Sequence, residues 1–202
     1  MALYELAPER RICLEFDDWS VDQWPENSGN IGRWERSSSI GYCFETLLRF
    51  DVSQFVNSII NSVRLKVVCD QQGSQDTPAE MLGHVWRQNK LEPGYWSSPP
   101  RWDDFSSSPW TTEVANPVEM KYIDTYYFES TQTFIDLINT WKNNSADNWG
   151  LVLSWNGPSP DYWLHVSNTS RLIIDADEIS NDDYVFKNVN RGVYMGVNNG
   201  IN

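Results

Sequence analysis

In the stretch Ile60-Asn61-Ser62-Val63-Arg64-Leu65-Lys66-Val67-Val68-Cys69, apolar Val63, Leu65 and Val67 alternate with Arg64 and Lys66. In an extended chain successive side chains point to opposite faces, so this alternation describes a strand with one face buried and one face wet. The same pattern recurs on both sides of it. Upstream, Cys43 to Phe50 separates Phe44, Thr46, Leu48 and Phe50 from Cys43, Glu45, Leu47 and Arg49. Downstream, Ala79 to Arg87 sets Leu82, His84 and Trp86 against Met81 and Val85. Lys121 to Phe128, Trp149 to Trp155, Tyr162 to Val166 and Arg171 to Asp175 follow, separated by polar segments rich in Pro and Gly. Seven or eight strands of this kind predict an all-β, antiparallel, two-sheet jelly-roll sandwich.

Two stretches break the period of two. Thr131 to Trp141 places Phe134, Leu137, Ile138 and Trp141 on one helical face, with Ser130 or Thr131 as the N-cap. Asp51 to Ile59 reads as a shorter helical turn, with Phe55, Val56 and Ile59 pointing inward. One or two short helices are thus expected to cover the sandwich. Between Lys90 and Pro117, five prolines exclude regular pairing, and Trp96, Trp102 and Trp110 are interleaved with Asp103, Asp104 and serines. Past residue 178 the composition shifts to Asn, Asp and Gly with scattered aromatics, so residues 1–178 read as the jelly-roll domain and 179–202 as an extended C-terminal arm.

Composition bounds the function. A chain of 202 residues that is 40% hydrophobic can bury one sizeable core, and 11 Trp suffice for both core and surface roles. The net charge of −13 repels phosphate backbones and anionic lipid headgroups, so neither nucleic acid nor membrane is expected as a partner. Neutral or weakly charged glycans and protein neighbours remain. Cys13, Cys43 and Cys69 form neither a disulfide framework nor a zinc motif; one bridge or three buried thiols would both fit. No apolar run approaches the roughly 18 residues that cross a bilayer, and the N-terminal residues lack the apolar core of a secretory signal. The expected location is a virion or another extracellular assembly.

Five stretches, taken in order, resemble the DNRLRE domain, the disaggregatase-related β jelly roll. They are Leu47 to Ser53 (Leu-Leu-Arg-Phe-Asp-Val-Ser), Ile60 to Val68, His84 to Trp110, Phe134 to Leu153 with its Asn148-Trp149-Gly150 turn, and Arg171 to Ile174. The resemblance covers roughly Phe16 to Asp175. It implies a jelly roll of the sort found in secreted surface proteins, polysaccharide-acting proteins and phage structural proteins, with some relatives that bind alginate. The acidity of this chain argues against alginate, and the arm after the last strand favours assembly.

Catalytic patterns are sparse. His84 and His165 lack metal-ligand spacing, no nucleophile elbow or phosphate-cradling loop occurs, and the Asp103-Asp104 pair is ordinary in a chain with 28 acidic residues. No enzyme activity is expected, glycan cleavage by paired carboxylates being the weakest alternative. Aromatic rings flanked by hydrogen-bonding side chains suit sugars, whose C–H faces stack on indoles. Trp155, Asp161 and Trp163 around the Asn156-to-Asp161 loop meet that description, as do Trp96, Trp102 and Trp110. The competing role for all of these rings is to plug the ends of the sandwich, and the family resemblance favours it for the second set. Asp17, Asp18 and Asp22 are weak calcium candidates that match no EF-hand spacing; no other cofactor is expected. In the arm, Tyr184, Phe186, Tyr194 and Met195 are candidates for docking on a neighbouring subunit. The leading expectation is a non-enzymatic structural or decoration module of a phage or virus particle, with a carbohydrate-binding module as the alternative.

Overall fold

A computed structural model describes residues 2–16, 21–23, 29–37, 40–73, 81–87, 112–156 and 162–179. Thirteen strands run through them: β1 (Ala2–Leu6), β2 (Arg10–Phe16), β3 (Val21–Gln23), β4 (Asn30–Ser37), β5 (Ile40–Arg49), β6 (Ser58–Gly73), β7 (Leu82–Arg87), β8 (Thr112–Glu113), β9 (Val118–Glu119), β10 (Thr125–Phe128), β11 (Leu151–Asn156), β12 (Tyr162–Val166) and β13 (Arg171–Glu178). Among the described residues the single α-helix, α1, spans Gln132–Asn143. The fold is all-β and antiparallel, as the alternation predicts.

The hydrogen-bonded order is β1-β13-β6-β12-β4-β5-β11-β7-β8, with β10 on the other edge of β6, β2 and β3 extending from β5, and β9 beside β7. These strands form one continuous curled sheet. The join is β6, long enough at 16 residues to belong to both halves. Ser58 to Lys66 pairs with β13, while Cys69 to Gly73 pairs with β12. Because β12 and β13 lie end to end along the same partner, they act as one long strand interrupted at residues 167–170. Ser167 donates its N–H to the Val68 carbonyl at 2.7 Å, and Ser170 Oγ accepts from the Val68 N–H at 3.0 Å, so the interruption leaves the Val68 amide satisfied.

The thirteen strands exceed the seven or eight expected, because β1, β2 and β4 carry weak patterns and β3, β8 and β9 are only two or three residues long. In β2 it is Arg11 that takes an inward position; it is 6% exposed and donates from its guanidinium to the Val166 carbonyl. In β4 a glycine, Gly32, occupies a buried position at φ +124°. A buried arginine and a left-handed glycine are both poor strand signals when read one residue at a time.

Both halves of the sheet feed one core. Val63, Leu65 and Val67 of β6, Leu172 and Ile174 of β13, Leu48 of β5, Val85 of β7 and Leu151 and Leu153 of β11 belong to a single buried cluster. The helix covers it as expected: Phe134, Leu137, Ile138 and Trp141 are all buried. Thr131 caps α1, its Oγ1 accepting from the Phe134 N–H at 3.1 Å while its hydroxyl donates to the Val114 carbonyl. The second half is buried on its outer face too, where Ile12, Leu47 and Val152 stand in one cross-strand row and are each at most 1% exposed.

The shorter helical turn needs correcting. Only Ser53–Phe55 is helical, as one 3-10 turn, and of the three residues expected inward only Phe55 is buried. Val56 and Ile59 are 51% and 57% exposed. The cause is a register shift between Asp175 and Ala176 of β13, which leaves Asn61 as an extra residue on β6. One extra residue reverses the facing of everything before it. Ile60 thus turns inward and Ile59 outward, while Asn61 bonds Asp177 at 3.1 Å.

Candidate functional site

Trp155 and Trp163 flank one loop in sequence but lie on opposite faces of the sheet. On β12, Tyr162, Leu164 and Val166 are core residues, so alternation sends Trp163 and His165 to the outer face. Trp155 of β11 packs against the core instead, and its indole N–H is buried without a hydrogen-bond partner. The two rings therefore do not form one clamp. Asp161, Trp96, Trp102 and Trp110 lie outside the described residues, as do Asp17, Asp18 and the arm residues Tyr184, Phe186, Tyr194 and Met195. Asp22 is placed on β3 by its backbone alone.

Around Trp163 both cross-strand neighbours are glycines, Gly32 on β4 and Gly73 on β6. A Cβ built on Gly73 would sit 2.0–2.3 Å from the Trp163 indole, so the ring lies down directly over that residue. At Gly32 a Cβ would meet the Tyr162 carbonyl oxygen at 2.2 Å, and the backbone is in a region that L side chains disfavour. Gly73 thus clears the space in which a partly exposed indole lies flat on the sheet, while Gly32 allows the close approach of the β4 and β12 backbones. Beneath, the Tyr162 hydroxyl donates to the Lys121 carbonyl and fixes the start of β12.

The next outer row holds polar groups. His165 is paired with Asn30 on one side and Gln71 on the other. Asp70 fills the irregularity in the β6 ladder beside it, with its Oδ1 2.6 Å from His165 Nδ1. Burial raises the Asp70 pKa, but hydrogen bonds from His165 and Ser167 and the His165 charge outweigh it, so the carboxyl lies below its ordinary range. Asn30 Oδ1 has no hydrogen-bond partner, and Gln71 is exposed. One strand repeat, about 6.6 Å, separates this row from the indole. A flat aromatic ring bordered at that distance by a carboxylate, an imidazole and the exposed Gln71 amide can stack a pyranose and hydrogen-bond its hydroxyls.

A second polar group lies on the outer face of β7 and β11. His84 Nδ1 is 2.6 Å from Glu113 Oε1, the His84 ring stacks on Trp86, and the Trp86 indole donates to Ser154 Oγ at 2.8 Å. Both histidines therefore act as carboxylate partners, in line with a structural donor role. Glu45 of β5 is partly buried but its carboxyl is shielded from water, which pushes it up to about 8, and its Oε2 has no hydrogen-bond partner. Among the described residues no cluster of three or more His, Cys, Asp or Glu could hold a metal ion. Cys13 and Cys69 are both buried, and burial raises the Cys69 thiol to about 12. No described helix is long and apolar enough to cross a membrane.

No family model matches the chain, and no curated protein is detectably similar to it. The residues that build the Trp163 face were only partly legible in the sequence. Trp163 stands out there, and the spacing of two to His165 puts both on one face. Gly32, Gly73, Asp70, Asn30 and Gln71 join them only through strand pairing, which no local pattern announces.

Proposed function

We propose that this chain is a non-enzymatic β module, of jelly-roll type and related to the DNRLRE domain, that binds a neutral or weakly charged glycan. The reading is carried by one observation: an outward-facing Trp163 lies over Gly73, flanked by glycine on both sides and bordered by Asp70, His165, Asn30 and Gln71. The ring is not part of the buried core cluster to which Tyr162, Leu164 and Val166 of the same strand belong. The test is a panel of purified polysaccharides followed by intrinsic tryptophan fluorescence. A saturable, sugar-specific change that disappears in Trp163→Ala supports the reading. A silent panel with folded protein removes it.

A second reading, a structural or decoration module of an extracellular assembly such as a virus particle, is favoured by a different observation. Among the described strands β1 is at the end of the sheet, with Leu3 62% exposed, and the chain leaves β13 at Ile179 beside exposed Val56 and Ile59. An edge strand bordered by apolar side chains is a template for pairing with a neighbour. Removal of residues 180–202 would then abolish assembly and leave the domain folded. Assembly that survives the truncation counts against an arm that straps subunits.

A further inference from the structure

The polar row beside Trp163 bears on which glycans the site admits. Among the described residues Asp70 is the acidic side chain in it, it is ionised over the neutral range, and its side chain is 44% exposed. His165 Nδ1 is occupied by that carboxylate, so this end of the imidazole is turned away from any ligand. Gln71, exposed on the other side of His165, adds a neutral amide, whereas Asn30 Oδ1 is buried. A ligand stacked on the indole therefore meets a carboxylate and an exposed amide about one strand repeat away, on a protein of net charge −13. Hydroxyls can donate to these groups. A carboxylate or sulfate on the sugar cannot, and it meets a like charge instead.

We propose, on the footing of the glycan reading above, that Asp70 is the specificity-determining residue of the Trp163 face, which accepts neutral pyranosides and rejects uronic-acid and sulfated ones. His165 is the positioning residue that holds the Asp70 carboxylate against the sheet. Stacking on Trp163 requires only a C–H face, which neutral and anionic sugars both offer, so the ring provides affinity and the carboxylate provides discrimination.

The experiment compares a neutral gluco-oligosaccharide with an oligogalacturonate of equal length, by titration calorimetry at low and at physiological salt, on the full chain. The wild type is expected to bind the neutral probe, and to bind the anionic one at least about tenfold more weakly, with the gap narrowing as salt rises. Asp70→Asn is expected to close most of that gap, read as the ratio of the two affinities. Gln71→Glu, an exposed change that leaves the ladder intact, is expected to widen it. Binding of neither probe, nor of any other neutral glycan, removes the glycan reading itself. Equal binding of both probes leaves that reading standing and overturns the inference, as does a gap unmoved in both variants.

Discussion

Single residues decide the site. Trp163→Ala is expected to lower glycan affinity by roughly 1–3 kcal/mol, the usual loss for one central aromatic contact, with the thermal midpoint little changed. Gly73→Ala should do the same through the ring it displaces, since its Cβ would enter the indole at 2.0 Å. Matching losses in both variants locate the ligand on the indole, whereas full affinity in Gly73→Ala would show that the ring's seat is immaterial. Glu45 answers to pH. With its carboxyl at about 8 in the fold, the folded state keeps a proton that the unfolded chain gives up near the ordinary glutamate value of about 4.3. Its contribution is thus complete below that value and is lost as pH rises toward about 8, with a slope of up to about 1.4 kcal/mol per pH unit. Denaturant titrations from pH 5 to 8 should show this decline in the wild type and a flatter profile in Glu45→Gln. At this scale the sequence marks Trp163 by its type, but the burial of Glu45 depends on neighbours it does not name.

At the scale of elements, α1 was the most legible. Four apolar side chains at helical spacing and a threonine ahead of them are a local code, and local codes need no partner to be read. Thr131→Ala removes both the cap on Phe134 and the tie to Val114, so a loss of about 1–2 kcal/mol is expected by urea denaturation. Trp141→Ala, at a side chain with no exposed surface, should destabilise by about 3–5 kcal/mol. Retention of full stability in either would mean that the helix does not hold the sheet closed. The strands were legible where one face is wet, as in β6 and β12. They were missed where the inward residue is Arg11 or Gly32, because a charge satisfied by a distant carbonyl and a glycine pressed on a neighbouring strand look like loop residues in isolation.

Across the whole molecule, the long β6 and the end-to-end pair β12–β13 run through both halves of the sheet. The inner faces of the two halves share one cluster, to which Val63, Leu172, Leu48 and Leu153 belong. Unfolding should therefore be a single cooperative transition, with far-UV circular dichroism and tryptophan fluorescence coincident in urea. Two separated transitions would mean that the halves are independent units. A core substitution in β6 such as Val67→Ala should lower that one midpoint for both probes together, by about 1–3 kcal/mol.

The sequence by itself determined the class of the fold, the helix with its cap and buried face, and the acidic character that bounds the partners. All three follow from composition or from periods of two and 3.6, which are properties of contiguous residues. Only the tertiary structure decided that Trp155 turns inward while Trp163 lies on the outer face, that Asn61 reverses the facing of Ile59, and that Asp70 meets His165. Each depends on a register between strands distant in the chain. Register is set by the sum of many cross-strand contacts, and one extra residue on one strand is enough to exchange the two faces.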